Sequence, residues 1–153
     1  MGYTVALQTL APQAVASIRL LLPPAALEAA LGDLLLEVWD CLASQQVGAA
    51  GPPFLRYHQA EPAQLDIEVG FPVAAPVAPR GRVRPGTLPG GAAATTWHHG
   101  PPDTLRAAYE ALAAWLAAHG YPMAGAPWER YWSDPLLEPD PRTWRTEVVW
   151  PLP

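Results

Sequence analysis

Leu27, Leu31, Leu34, Leu35, Val38 and Leu42 recur at intervals of three and four, and Glu28, Asp33, Glu37 and Asp40 fill much of the space between them. That period predicts an amphipathic helix over residues 23–46. Pro23-Pro24 suits its first turn, and Gly48 with Gly51-Pro52-Pro53 ends it. A second stripe of Leu105, Ala108, Tyr109, Leu112, Trp115 and Leu116 predicts a helix over 103–119, closed by Gly120. Shorter runs carrying β-branched and aromatic residues predict strands at 3–10, 14–22, 54–59, 65–73, 83–88, 92–98, 128–133 and 143–150. Two helices against an antiparallel or mixed sheet system give an α+β fold.

In chain order each half reads strand, strand, helix, strand, strand, and the residues repeat as well. Gly51-Pro52-Pro53-Phe54-Leu55-Arg56-Tyr57 returns 74 positions later as Gly125-Ala126-Pro127-Trp128-Glu129-Arg130-Tyr131. Leu65-Asp66-Ile67-Glu68-Val69-Gly70-Phe71-Pro72 returns 79 positions later as Trp144-Arg145-Thr146-Glu147-Val148-Val149-Trp150-Pro151. The expectation is a single domain over 1–153, with one repeat at about 1–75 and another at about 82–153. Prolines at 72, 76, 79, 85 and 89 crowd the joint. Two facing repeats share a seam, and seams are where ligands sit. Within the match Leu55 becomes Glu129, so one carboxylate breaks the symmetry of an aromatic-rich repeat.

Composition narrows the classes. Half of the 153 residues are apolar, so the chain folds around a core despite 20 prolines. No apolar stretch is long enough to span a membrane, and the start lacks the pattern of a secretory signal. A single cysteine, Cys41, excludes an internal disulfide and fits a cytoplasmic location. The net charge is −5 and all nine basic residues are arginine, which argues against direct nucleic-acid binding. Arg80, Arg82 and Arg84 cluster in a Pro/Gly stretch that reads as a solvated linker.

Alternation along a strand places Glu129 and Tyr131 on one face and Trp128, Arg130 and Trp132 on the other. In the first half the matching pairs are Leu55 with Tyr57 and Phe54 with His58. Ile67, Val69 and Phe71 share a face, as do Thr146, Val148 and Trp150, and these sets are expected to meet the helices. An aromatic-plus-carboxylate set is then left to line the seam. Burial penalises a carboxylate unless a cation or a donor answers it. Aromatic faces attract cations as well, by roughly 0.5–2 kcal/mol each. Together they suit lipophilic cations or flat polycyclic compounds. The same carboxylate would also serve as a general acid or base on water. The plainer alternative is a solvated Glu129, or one paired with Arg130 or Arg56.

Glu68 and Glu147 are repeat equivalents and lesser candidates. Adjacent His98 and His99 point to opposite strand faces, His58 and His119 lack partners at ligand spacing, and no metal site is expected. Cys41 reads as a buried, inert thiol, and no nucleophile elbow or phosphate-cradling glycine motif is present. No cofactor is implied.

Trp97-His98-His99-Gly100-Pro101 ahead of a helix, Pro127-Trp128-Glu129-Arg130-Tyr131 after it, and Arg145-Thr146-Glu147-Val148 near the end resemble the GyrI-like small-molecule-binding family. This is the effector-binding domain also attached to AraC-type and MerR-type multidrug-responsive activators. Asp66-Ile67-Glu68-Val69-Gly70-Phe71-Pro72-Val73 resembles it too, so the similarity covers essentially the whole chain. It implies duplicated β-α-β-β units related by a pseudo-two-fold, with a central ligand groove between the repeats. It also implies that Glu129 lies at the bottom of a pocket for lipophilic, often cationic, drugs. Tyr131, Tyr57, Trp97, His99, Trp132 and Glu147 would line that pocket. Family members often carry Gly-Pro-Tyr where this chain has Gly100-Pro101-Pro102, so no hydroxyl is supplied there.

The resemblance leaves no stretch of chain for a DNA-binding module, and three readings follow from it. The first is a binder that sequesters or detoxifies a hydrophobic or cationic small molecule, as a monomer or dimer. The second is a hydrolase of cyclopropane-bearing DNA-alkylating natural products, with Glu129 as acid/base and Tyr131 as hydrogen-bond donor. The third is a gyrase-inhibitor-like protein-binding module working through an exposed patch around Leu136-Leu137.

Overall fold

The computed structural model describes residues 2–122, 125–134 and 137–153. The secondary structure is α+β. In chain order it runs β1 (Val5–Leu10), β2 (Gln13–Leu22), α1 (Leu27–Ser44), β3 (Phe54–Ala60), β4 (Leu65–Pro72), β5 (Arg84–Leu88), β6 (Gly91–His99), α2 (Arg106–Ala118), β7 (Trp128–Tyr131) and β8 (Arg145–Pro151). Both helices begin later than their hydrophobic stripes suggest. Pro24 and Pro102 each open a short 3₁₀ turn before the α-helix proper, because proline sets its own φ but donates no hydrogen bond. Gly120 ends α2 at φ 76°, and Tyr121 N–H reaches back to Leu116 O at 2.9 Å. Gln46 takes the same left-handed position after α1, at φ 56°, with Val47 N–H on Leu42 O at 3.0 Å.

The chain forms two compact units. One is Pro12–Pro89; the other is Gly90–Pro153 together with the N-terminal residues up to Ala11. The Pro12–Pro89 unit holds four antiparallel strands in the order β3-β4-β2-β5. Its helix α1 lies on β4 and β2. Trp39 of α1 meets Phe71 of β4 at a ring separation of 5.4 Å, which makes the Ile67, Val69 and Phe71 side the helix-facing side. Leu34, Val38, Cys41 and Leu42 are buried from the helix.

The Gly90–Pro153 unit has four antiparallel strands in the order β7-β8-β6-β1. Its core gathers Leu105, which precedes α2, and Ala108, Leu112 and Leu116 of α2 with Ala94 of β6 and Val148 of β8. As expected from the alternation, the Val148 side of β8 is the side that meets the helix.

Strand membership differs from chain order. The first strand, β1, pairs with β6, from Val5 opposite Thr96 to Leu10 opposite Gly91. The strand that precedes the second helix's half, β5, pairs with β2 instead. A strand's own periodicity tells which face it buries and nothing about its partner, so chain order alone misassigns both. Proline is tolerated in β5 because β5 is paired through β2 alone within this unit, and Pro85 stands opposite Ala16.

One glycine controls the fit of β4 beside β2. A Cβ built on Gly70 would collide with the Ala16 carbonyl and stand 2.8 Å from Ser17 Cα, both backbone atoms. Neither can move without shifting the strand. Gly70→Ala is therefore expected to destabilise the protein by about 1–3 kcal/mol through overpacking, measured as a lower urea midpoint at unchanged m.

Candidate functional site

Glu129 lies in β7 directly opposite Val148 of β8. Opposed residues of antiparallel strands share a face, so Glu129 points to the α2 side with Val148. It is only 3% exposed. Tyr131, two residues on and hence on the same face, donates its hydroxyl to Glu129 Oε1 at 2.7 Å. Tyr109 of α2 donates to Oε2, also at 2.7 Å. Trp150 of β8 stands edge-on to Tyr109, with ring centroids 6.2 Å apart. A buried carboxylate gripped by two phenols is thus set among aromatic rings on the helix-facing side. Phenol donors are strong partners for a carboxylate, and each fixes one of its oxygens in place.

Tyr109 belongs to the apolar stripe of α2, and its role as a second donor was missed from the sequence. The available signal was its hydroxyl, because a phenol carried into a core needs a polar partner.

Trp97, His99, Trp132 and Glu147 do not join that carboxylate. Trp97 is opposite Glu147 and His99 is opposite Arg145 across β6 and β8. Glu147 adjoins Val148 in sequence, so this whole ladder points away from α2. The residues expected to line one pocket thus divide between the two faces of this sheet, and the two-residue alternation of β8 is the reason. On this second face Glu147 is 6% exposed, takes a hydrogen bond from Trp132 Nε1 at 3.3 Å, and lies 3.5 Å from Arg130. The Trp97 and Trp132 rings are 6.0 Å apart and tilted by 49°. Gly2, Tyr3, Thr4, Trp97, His99 and Arg145 line an open pocket of about 780 Å³ there.

The two adjacent histidines do split as expected. His98 is buried on the α2 side, 2.9 Å from the Tyr3 hydroxyl through Nδ1 and 2.8 Å from Thr104 Oγ1 through Nε2. His99 is exposed.

In the Pro12–Pro89 unit, Leu55 occupies the position in β3 that Glu129 holds in β7. It is opposite Val69 and 2% exposed. Tyr57 is opposite Ile67 on the same helix-facing side and is half-buried. Glu68 points the other way. Ser17 donates to its Oε2 at 2.6 Å and His58 Nε2 to its Oε1 at 2.8 Å. His58, two residues beyond Arg56 on the same strand, shares the face on which Arg56 stands opposite Glu68, and the β3–β4 register slips just beyond Tyr57. Burial holds the Arg56 guanidinium below its ordinary pKa, and the neighbouring Glu68 charge partly restores it. Beside it, the hydrogen bond from Arg19 keeps the Asp66 carboxyl below the usual range.

Cys41 is a buried free thiol. Among the described residues no group of three or more His, Cys, Asp or Glu is placed to hold a metal ion. Among them, too, no helix is long and apolar enough to cross a membrane. Leu137 is 81% exposed, and Leu136 lies outside the described residues.

The profile of the family described as the GyrI-like small molecule binding domain matches residues 3–153. The chain is similar to EcmrR in the cryo-EM structure of the EcmrR–DNA complex in EcmrR-RPo, at 25% identity and a TM-score of 0.87. That match takes in 98% of this chain but 57% of EcmrR, so the chain spans little more than half of that relative. Against the crystal structure of the EcmrR C-terminal domain the identity is 24% and the TM-score 0.90, with 100% and 99% of the two chains covered. The structure of SAV2435 bound to tetraphenylphosphonium shares the fold at 12% identity and a TM-score of 0.64, covering 100% of this chain and 94% of that one. No curated protein matches the chain.

Removing one phenol withdraws one donor from a buried carboxylate. Tyr109→Phe is expected to lower stability by about 1–3 kcal/mol, read from urea denaturation, with the fold retained by circular dichroism.

Proposed function

We propose, from the fact that this chain belongs to the GyrI-like small-molecule-binding family, that it binds a bulky lipophilic cation at Glu129. The observation that carries this reading is the buried carboxylate held by the hydroxyls of Tyr109 and Tyr131 at 2.7 Å each. In a low-dielectric setting such a carboxylate attracts a cation far more strongly than it would in water. A cation whose charge is wrapped in aryl groups gives up little hydration on entering, so the attraction is not cancelled by desolvation. The ring faces of Tyr109, Tyr131 and Trp150 add cation–π attraction. Tetraphenylphosphonium, the compound named with SAV2435, has this chemistry.

We also read the two units as repeats. Their strand orders, β3-β4-β2-β5 and β7-β8-β6-β1, correspond position by position around one helix each. Leu55 stands in the first unit where the second has Glu129. In this reading the protein works as a binder that sequesters a toxic compound.

The test is a calorimetric titration with tetraphenylphosphonium and, as neutral control, triphenylphosphine oxide. Glu129→Gln is expected to weaken phosphonium binding at least about tenfold while leaving the neutral compound unchanged. Equal phosphonium affinity in both proteins would sink the reading. Incubating each protein with a cyclopropyl-indolone electrophile and weighing the products adds a second outcome. A hydrolysed product that disappears with Glu129→Gln would make the same carboxylate catalytic and replace sequestration with hydrolysis.

A further inference from the structure

The sheet face of the Gly90–Pro153 unit that points away from α2 carries an aromatic and cationic constellation that the Glu129 reading leaves unused. Trp97 and Trp132 are 37% and 42% exposed there. Two indoles left in water on one sheet face are a feature to be explained, because such area is normally buried. Their rings are 6.0 Å apart and inclined at 49°, a tilted aromatic pair in direct contact. The pair is anchored from below. Glu147 accepts the Trp132 Nε1 hydrogen at 3.3 Å, and Arg130 at 3.5 Å answers its charge.

What remains at the surface is positive. The Arg145 guanidinium carbon is 5.8 Å from the centre of the Trp97 ring, which orients the cation over the indole. Among the described residues no carboxylate forms an ion pair with Arg145. His99 stands directly opposite Arg145 in the β6–β8 register, so both project to the side that carries Trp97. Trp97, His99 and Arg145 line the same pocket of about 780 Å³, ample for a bicyclic ligand.

We propose that this pocket is a second small-molecule site, selective for planar aromatic monoanions. The ring system lies against the exposed part of Trp97, beside the Trp132 ring that packs on it, where an indole favours offset stacking. The carboxylate or sulfonate pairs with the Arg145 fork, whose two parallel N–H groups match its oxygens. His99 flanks the anion as a further donor. One arginine and one histidine suit a single negative charge, and the chain's net charge of −5 disfavours a polyanion such as nucleic acid. The ligand is thus opposite in charge to the one assigned to Glu129, and the two sites lie on opposite faces of one sheet.

The experiment uses 2-naphthoate as probe and 2-naphthamide as its uncharged match, followed by the indole N–H resonances of the intact protein. The expected result is saturable shifts of the Trp97 and Trp132 signals with naphthoate, and binding at least about tenfold weaker with the amide. Arg145→Gln, an exposed substitution that leaves the fold intact, is expected to reduce naphthoate affinity to that of the amide. Trp97→Ala is expected to weaken both compounds. Glu129→Gln is expected to change neither, which keeps this outcome separate from the phosphonium titration. Equal affinity for naphthoate and amide, unchanged binding in Arg145→Gln, loss of binding in Glu129→Gln, or no shift of either indole signal would each overturn the proposal.

Discussion

The antiparallel register of β6, β8 and β7 is the constraint on which the chemistry of this protein depends. It opposes Glu129 to Val148 and Trp97 to Glu147. Successive side chains of β8 leave the sheet on opposite sides, so these two pairs are sent to opposite faces. One carboxylate enters the helix-covered side among phenols. The other supports an indole pair on the far side. A slip of one residue would exchange the two sets, exposing Val148 and driving Glu147 toward the leucines of α2. The apolar core of Ala94, Leu105, Ala108, Leu112, Leu116 and Val148 penalises that slip strongly.

Each buried carboxylate is stabilised differently. Glu129 relies on hydroxyl donors from a helix and from its own strand. Glu147 has an arginine and an indole N–H. Glu68, at the corresponding place in the other unit, has a serine and a histidine. A cation partner answers a carboxylate's charge locally, whereas a hydroxyl donor fixes the orientation of the oxygen it bonds. The Leu55 position carries neither. A leucine there is packed against Val69 and contributes only burial.

Several of these features are legible in the amino-acid sequence alone. Glu129 stood out because it interrupts a repeat, and Tyr131 followed from a two-residue spacing on one strand. The helical stripes located both helices within a few residues, with prolines accounting for the difference. Tyr109 was not legible as a ligand of Glu129, since it sits within a stripe that reads as core. His58 was legible as a residue on the Arg56 face of its strand but not as the partner of Glu68, which the pairing of β3 with β4 decides. Trp97, Trp132 and Glu147 were legible as aromatic and acidic candidates but not as a group apart from Glu129.

The amino-acid sequence by itself determined the periodicities, and with them the elements, the α+β class, the family and the residue that breaks the repeat. These are local properties, carried by spacing along the chain. Only the tertiary structure decided which strands pair, β1 with β6 and β5 with β2, and which side chains share a face. Pairing is a contact between segments up to about ninety residues apart, chosen by burial of whole faces and not by any one segment's pattern. That choice placed a carboxylate held by two phenols on one side of the sheet and a pair of indoles beside an arginine on the other.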